Sequence, residues 1–170
     1  MTSTSARAAA VVVAGGMAAG GLLLAAGVAG ASPSDRPCGI DDVTVSVAPD
    51  AGAAAGQEAY AISYTAASPT TNCKLQGVPT GVNFVAGHDN GSDITVTPDA
   101  PGAPGDPVNL TAQHPAVSYL LQDAAAPVTF VPTAMNLNLP SADGSTTTIA
   151  WPAGAPLKGD TVELTAVAPA

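Results

Sequence analysis

The densest polar cluster in the chain is His88-Asp89-Asn90-Gly91-Ser92-Asp93. Asp89, Asn90 and Asp93 offer oxygens of the kind calcium takes. An oxygen site needs six or more ligands, however, and the run lacks the twelve-residue spacing and closing Glu of a calcium loop. Asn-Gly between two alternating segments explains the same residues as a hairpin turn, because both tolerate positive φ. No metal site is therefore expected. Serine catalysis needs a histidine oriented by a carboxylate. His88 and His114 are the only histidines, and no serine sits in a Gly-x-Ser-x-Gly elbow. His114-Pro115 reads as a turn. A paired-carboxylate hydrolase could draw on Asp41 or Asp42 with Glu58, provided the fold sets them at a working separation. Adjacent acids are more commonly a solvated face. Nucleophile, base and orienter are not all present, so no catalytic residue and no cofactor is expected.

The two cysteines, Cys38 and Cys73, could be metal ligands, nucleophiles or a crosslink. A zinc site needs more than two sulfurs and two distant histidines, and a reactive thiol needs a nearby base or positive charge. An even count in an exported chain reads first as a disulfide, with an intermolecular crosslink as the rival. A Cys38–Cys73 bridge would close a loop of roughly 36 residues and contribute on the order of 3–4 kcal/mol. Tyr60, Tyr64, Tyr119 and Trp151 could form a ligand-binding aromatic patch. All four sit on the apolar phase of their segments, so core packing is expected instead. Asn90-Gly91-Ser92 and Asn109-Leu110-Thr111 match a glycosylation sequon. The Ala/Gly/Pro-heavy, Lys-poor composition suggests a high-GC bacterium, in which both are incidental.

Compartment follows from the start of the chain. Arg7 is the only charge before Asp35, and Ala8 to Ala31 is an Ala/Gly/Val/Leu/Met run ending in Ala29-Gly30-Ala31. This is the layout of a secretory signal peptide, residues 1–31, cleaved after Ala31. The alternative is an uncleaved anchor, since the run reaches bilayer-spanning length. A lipid anchor is excluded because Cys38 lies too far beyond the small residues. All thirteen acidic residues follow residue 31, against Arg36, Lys74 and Lys158. Such a domain lacks the clustered Lys/Arg that nucleic acid requires, and anionic membrane surfaces would repel it.

The elements that must position these residues are short. All sixteen prolines follow the signal segment, and proline breaks helix interiors, so long helices are excluded. Between the prolines the pattern alternates with period two. Val43, Val45 and Val47 share a face, as do Tyr60, Ile62 and Tyr64, and Ile94 with Val96. Val117, Tyr119 and Leu121 form another set, followed by Val128 with Phe130, and Met135 with Leu137 and Leu139. Ile149 with Trp151, and Val162 with Leu164 and Ala166, complete the pattern. Asn90-Gly91 predicts a hairpin joining the Val82–Val85 strand to the Ile94–Val96 strand. Ala51 to Gly56, Ala100 to Pro107 and Pro152 to Gly159 read as loops. One-sided strands need a second layer, so the expected fold is all-β. It is an antiparallel, immunoglobulin-like β-sandwich over residues 43–170, one domain with one disulfide, preceded by an N-terminal segment, 32–42, that carries Cys38.

Several residues in order resemble an actinobacterial secreted family, domain of unknown function 4232. Cys38 precedes a strand, and Ala54-Ala55-Gly56-Gln57-Glu58 leads into Tyr60-Ala61-Ile62-Ser63-Tyr64. Cys73-Lys74-Leu75-Gln76-Gly77-Val78-Pro79 is similar to the family's Cys-x-Leu-x-Gly-aromatic-Pro core. Val108-Asn109-Leu110 and Ala116-Val117-Ser118-Tyr119-Leu120 resemble its next strand pair. Val78 stands where an aromatic is usual, and a late second cysteine pair is missing. The resemblance implies a compact extracellular β-domain and supplies no activity. The expectation is a secreted, non-catalytic envelope module that binds a protein, glycan or small ligand through loops at one end of the sandwich. The alternative is a cell-envelope hydrolase using paired acids.

Overall fold

Proline and glycine cut the chain into strands of two to ten residues, and the structure follows those cuts. The computed structural model describes residues 34–170 other than 88, 91, 92, 103, 142 and 143, and without the side chains of Asp89 and Asn90. The expected signal segment lies outside the described residues. In chain order the strands are β1 (Val43–Asp50), β2 (Gln57–Ala66), β3 (Asn72–Leu75), β4 (Thr80–Ala86), β5 (Asp89–Asn90), β6 (Thr95–Pro98) and β7 (Val108–Thr111). They continue with β8 (Ala116–Asp123), β9 (Val128–Phe130), β10 (Ala134–Asn138), β11 (Thr146–Ala150), β12 (Leu157–Lys158), β13 (Thr161–Leu164) and β14 (Ala168–Pro169). One 3-10 turn, Ile40–Asp42, precedes β1.

The strands form a β-sandwich. One sheet has the order β1-β2-β8-β13-β6, with β14 also on β8. The facing sheet has the order β11-β10-β4-β5, and β9-β12 and β3-β7 are two-stranded ribbons. Tyr60, Ile62, Tyr64, Leu120, Val162 and Leu164 from the larger sheet share one buried cluster with Phe84, Met135, Leu137 and Ile149 from the smaller. Each fully buried aliphatic or aromatic side chain there contributes roughly 1.5–3 kcal/mol relative to exposure. Trp151 packs between the layers, its ring centroid 4.6 Å from Tyr60 and 5.6 Å from Phe84. Its indole N–H donates to Ala155 O at 2.9 Å, so the polar end of the ring is satisfied inside the core.

Cys38 and Cys73 form a disulfide, with a Cα–Cα distance of 4.9 Å, and both are fully buried. Backbone bonds reinforce the join: Lys74 N–H donates to Arg36 O, and Cys38 N–H donates to Lys74 O. The N-terminal segment is thereby laid beside β3. Gly77, at φ +99°, then bends the chain toward β4, a conformation that a Cβ would strain.

Three expectations are corrected. Residues 82–85 and 94–96 do not form a hairpin. Val85 and Ala86 pair with Asn90 and Asp89, so the chain reverses between Ala86 and Asp89, beginning at Gly87 with φ +60°. Gly91 and Ser92 lie outside the described residues. The chain then crosses to the other sheet, where β6 runs parallel to β13, from Thr95↔Thr161 to Pro98↔Leu164. The remaining ladders among the described residues are antiparallel. Second, Val128 does not share a buried face with Phe130 but is 58% exposed. The two-residue β12 covers only part of β9, and the register slips between Leu157 and Lys158. Third, the apolar alternation of the last strand stops at Leu164, and Val167 is buried in place of Ala166. The strand bulges there: Thr165 N–H donates to Tyr119 O, while Val167 N–H turns to Gly77 O.

Candidate functional site

The residues weighed as candidates for chemistry are dispersed, and Asp42, Glu58 and His114 are each held by bonds of their own. Asp42 caps the 3-10 turn through Gly39 N–H at 2.9 Å and takes a bidentate Arg36 guanidinium at 2.7 and 2.9 Å. The Arg36 hydrogen bonds, then that of Gly39, hold its carboxyl below the usual aspartate range. Glu58 sits at the opposite end of the β1–β2 ribbon. The register runs from Val43↔Ala66 to Asp50↔Ala59, which places Asp42 and Glu58 on the order of 25–30 Å apart at about 3.3 Å per residue. Paired-carboxylate hydrolysis works at roughly 5–9.5 Å, so Asp41 or Asp42 and Glu58 do not form such a pair. His114 Nδ1 lies 3.0 Å from Thr111 Oγ1 in the turn between β7 and β8. Asn109 of the second sequon lies in β7, where its Oδ1 accepts Ser34 N–H at 2.9 Å. His88 and the side chains of Asp89 and Asn90 lie outside the described residues. No three His, Cys, Asp or Glu residues converge on a metal-sized point among the described residues.

Glu58 belongs to a clamp at one end of the sandwich. Lys158 Nζ donates to Glu58 Oε1 and, at 3.0 Å, to Ala124 O. Gln122, 3% exposed, donates to Glu58 Oε2 at 3.1 Å and Pro156 O at 3.2 Å, and its Oε1 accepts Lys158 N–H at 3.0 Å. Tyr60 Oη also donates to Pro156 O, at 2.8 Å. The bonds from Lys158 and then Gln122 hold the Glu58 carboxyl below the ordinary glutamate value. This network ties β12 and the loop before it to β2 and β8.

That clamp explains the largest surprise in side-chain placement. β8 was expected to bury Val117, Tyr119 and Leu121. It instead turns Ala116, Ser118, Leu120 and Gln122 inward, leaving Tyr119 and Leu121 half-exposed on the outer face and Val117 nearly covered there. Ser118 is fully buried, with its Oγ 2.9 Å from Tyr64 Oη. Tyr60, Tyr64 and Trp151 are core residues as expected; Tyr119 is not. The sequence signal was the pair Leu120-Leu121: adjacent residues in a strand face opposite ways, so one of the two had to face outward.

The outer face of the larger sheet carries the candidate site. Cross-strand register places Asp50, Ala59, Leu121 and Glu163 in one row across β1, β2, β8 and β13. Ala48, Ala61 and Tyr119 make the next row, and Gln57 with Asp123 the row on the other side. Small alanines leave Tyr119 and Leu121 standing above the sheet. Two clefts meet at Leu121. One, of about 470 Å³, is lined by Gln57, Gln122, Asp123, Thr161 and Glu163 among others. The other, of about 510 Å³, runs over Asp50, Ala53, Ala59, Tyr119 and Thr165. A separate slot of about 430 Å³, walled by Val78, Pro79, Val82, Ile94, Val96 and Leu164, opens between the sheets beside β6. It is the margin of the core rather than a polar site. No family model, no curated protein and no solved structure matches the chain.

Proposed function

We propose that this chain is a secreted, non-catalytic cell-envelope module of the actinobacterial kind it resembles, which binds a partner through the outer face of its larger sheet. The observation that carries the reading is the phase of β8. The strand buries Ser118 and Gln122, which need hydrogen-bond partners inside, and leaves Tyr119 and Leu121 outside. With Ser118 and Gln122 bonded inside, the strand sets its larger apolar side chains, Tyr119 and Leu121, on the outer face, and apolar groups on a surface cleft suit an interaction site. The fully buried disulfide supports an oxidising destination, as does the apolar, singly basic start of the chain. This reading puts the contact on a sheet face, where the sequence alone suggests loops at one end of the sandwich.

The test is retention on envelope material from the producing cell. Wild-type protein is expected to co-sediment with it, and a Tyr119→Ser/Leu121→Ser variant, shown folded by circular dichroism, to lose about tenfold or more in retention, as removal of central apolar contacts does. Equal retention of the two proteins would overturn the reading.

A further inference from the structure

We infer that the partner of this face is a basic, extended polypeptide segment; the inference rests on the binding reading above and names its ligand class. The charged residues lining the two clefts are Asp50, Asp123 and Glu163, all acidic. Asp50 Oδ1 accepts Gly52 N–H at 3.2 Å and Asp123 Oδ1 accepts Ala125 N–H at 2.8 Å, so each carboxylate retains an acceptor oxygen. Glu163 is exposed, and its carboxylate takes no hydrogen bond or ion pair from the other described residues. The nearby cation, Lys158, is committed to Glu58 and Ala124 O. The face therefore presents negative charge with no internal neutralisation.

The spacing favours a strand-like occupant. Tyr119, Leu121 and Asp123 follow one another at alternate positions of β8, spanning about 13 Å, the reach of roughly four extended residues. Leu121 lies between Asp50 and Glu163 in its row, with strands about 4.8 Å apart. An apolar contact in the centre and a cation on either side meet this pattern. Lys and Arg stems can cover Leu121 while their heads reach the carboxylates, and either cation can lie over the Tyr119 ring. A neutral sugar would leave the carboxylates unmatched, and an anionic polymer would be repelled.

The experiment titrates isotope-labelled protein with the synthetic peptide Lys-Ser-Leu-Ser-Lys-Ser, which sets Lys, Leu and Lys on one face of an extended chain, and its Ser-for-Lys and Glu-for-Lys counterparts, and with a neutral hexasaccharide, following backbone amides by NMR. The basic peptide alone is expected to shift Tyr119, Leu121, Asp123 and Glu163, and to weaken as salt rises. Asp123→Asn and Glu163→Gln should each weaken it about threefold, the scale of rim ion pairs. Tyr119→Ser/Leu121→Ser should weaken it about tenfold or more. Equal shifts of the same amides by the Ser peptide or the sugar would overturn the inference while leaving the binding face intact. Shifts scattered over the surface and indifferent to Tyr119 and Leu121 would reduce the effect to general charge attraction and also overturn it. No shift with any probe, together with envelope retention that does not need Tyr119 and Leu121, would remove the binding face as well.

Discussion

Tyr64 and Ser118 show how a single polar pair fixes a strand's phase. Both are fully buried, and they share one hydrogen bond of 2.9 Å. Burial raises the Tyr64 phenol well above its ordinary value, with the Ser118 bond opposing part of that rise. The neutral hydroxyl is thus the native form throughout the physiological range. Removing one partner strands the other in an apolar layer, whereas removing both leaves little unsatisfied. Tyr64→Phe and Ser118→Ala are each expected to cost about 1–3 kcal/mol in urea unfolding. The double variant should cost clearly less than the sum of the two. Strict additivity would mean that the bond does not hold β8 in register against β2.

At the scale of elements, the two-residue strand β12 is held mainly through side chains. Lys158 and Glu58 form an ion pair whose members are 18% and 43% exposed, with Gln122 between them. Because the Glu58 carboxyl is held below its unfolded value, its contribution to stability is fully present above that value. It is lost as pH falls through the lowered folded value. The same sign applies to Asp42 beside Arg36. Thermal stability is therefore expected to stay level from neutral pH down to about pH 5 and to fall below about pH 4. Glu58→Gln should lower the melting temperature at pH 7 and flatten the acid limb. An unchanged acid limb would show that the carboxylate does not clamp β12. The parallel β6 also belongs to this scale. It covers the flank of β13 that β8 leaves open, while the two-residue β5 leaves little free edge on the smaller sheet, a common protection against edge-to-edge pairing.

For the whole molecule, the disulfide is the main constraint that is not packing. It joins the N-terminal segment to β3 across 35 positions, and the backbone bonds of Arg36, Cys38 and Lys74 lie directly around it. A Cys38→Ala/Cys73→Ala variant should lose on the order of 3–4 kcal/mol in chemical denaturation, from greater freedom of the unfolded chain. Non-reducing mass analysis of wild type should return a Cys38–Cys73 linked peptide with no free thiol. Free thiols in the folded protein would contradict the crosslink. Because both cysteines are fully buried, reductant should act slowly on native protein and quickly once it is unfolded.

Alternation of apolar and polar residues, proline spacing and cysteine parity were enough by themselves to determine an all-β sandwich with a Cys38–Cys73 staple. Those signals are local, and each strand carries its own. They also gave the core faces of β1, β2 and β10, where one phase is clearly apolar and the other is not. They failed where both phases can be buried. In Ala116-Val117-Ser118-Tyr119-Leu120-Leu121, the outward set is the larger and more apolar one, and only the neighbours Tyr64, Glu58 and Lys158 make Ser118 and Gln122 the inner set. They failed also at Asn90-Gly91, since the pairing that makes Gly87 the start of the turn and sends β6 to a parallel partner is decided by contacts distant in sequence. The row of Asp50, Leu121 and Glu163 exists only through cross-strand register. Tertiary structure alone could place those residues on one face, because register is a relation between strands and no single strand encodes it.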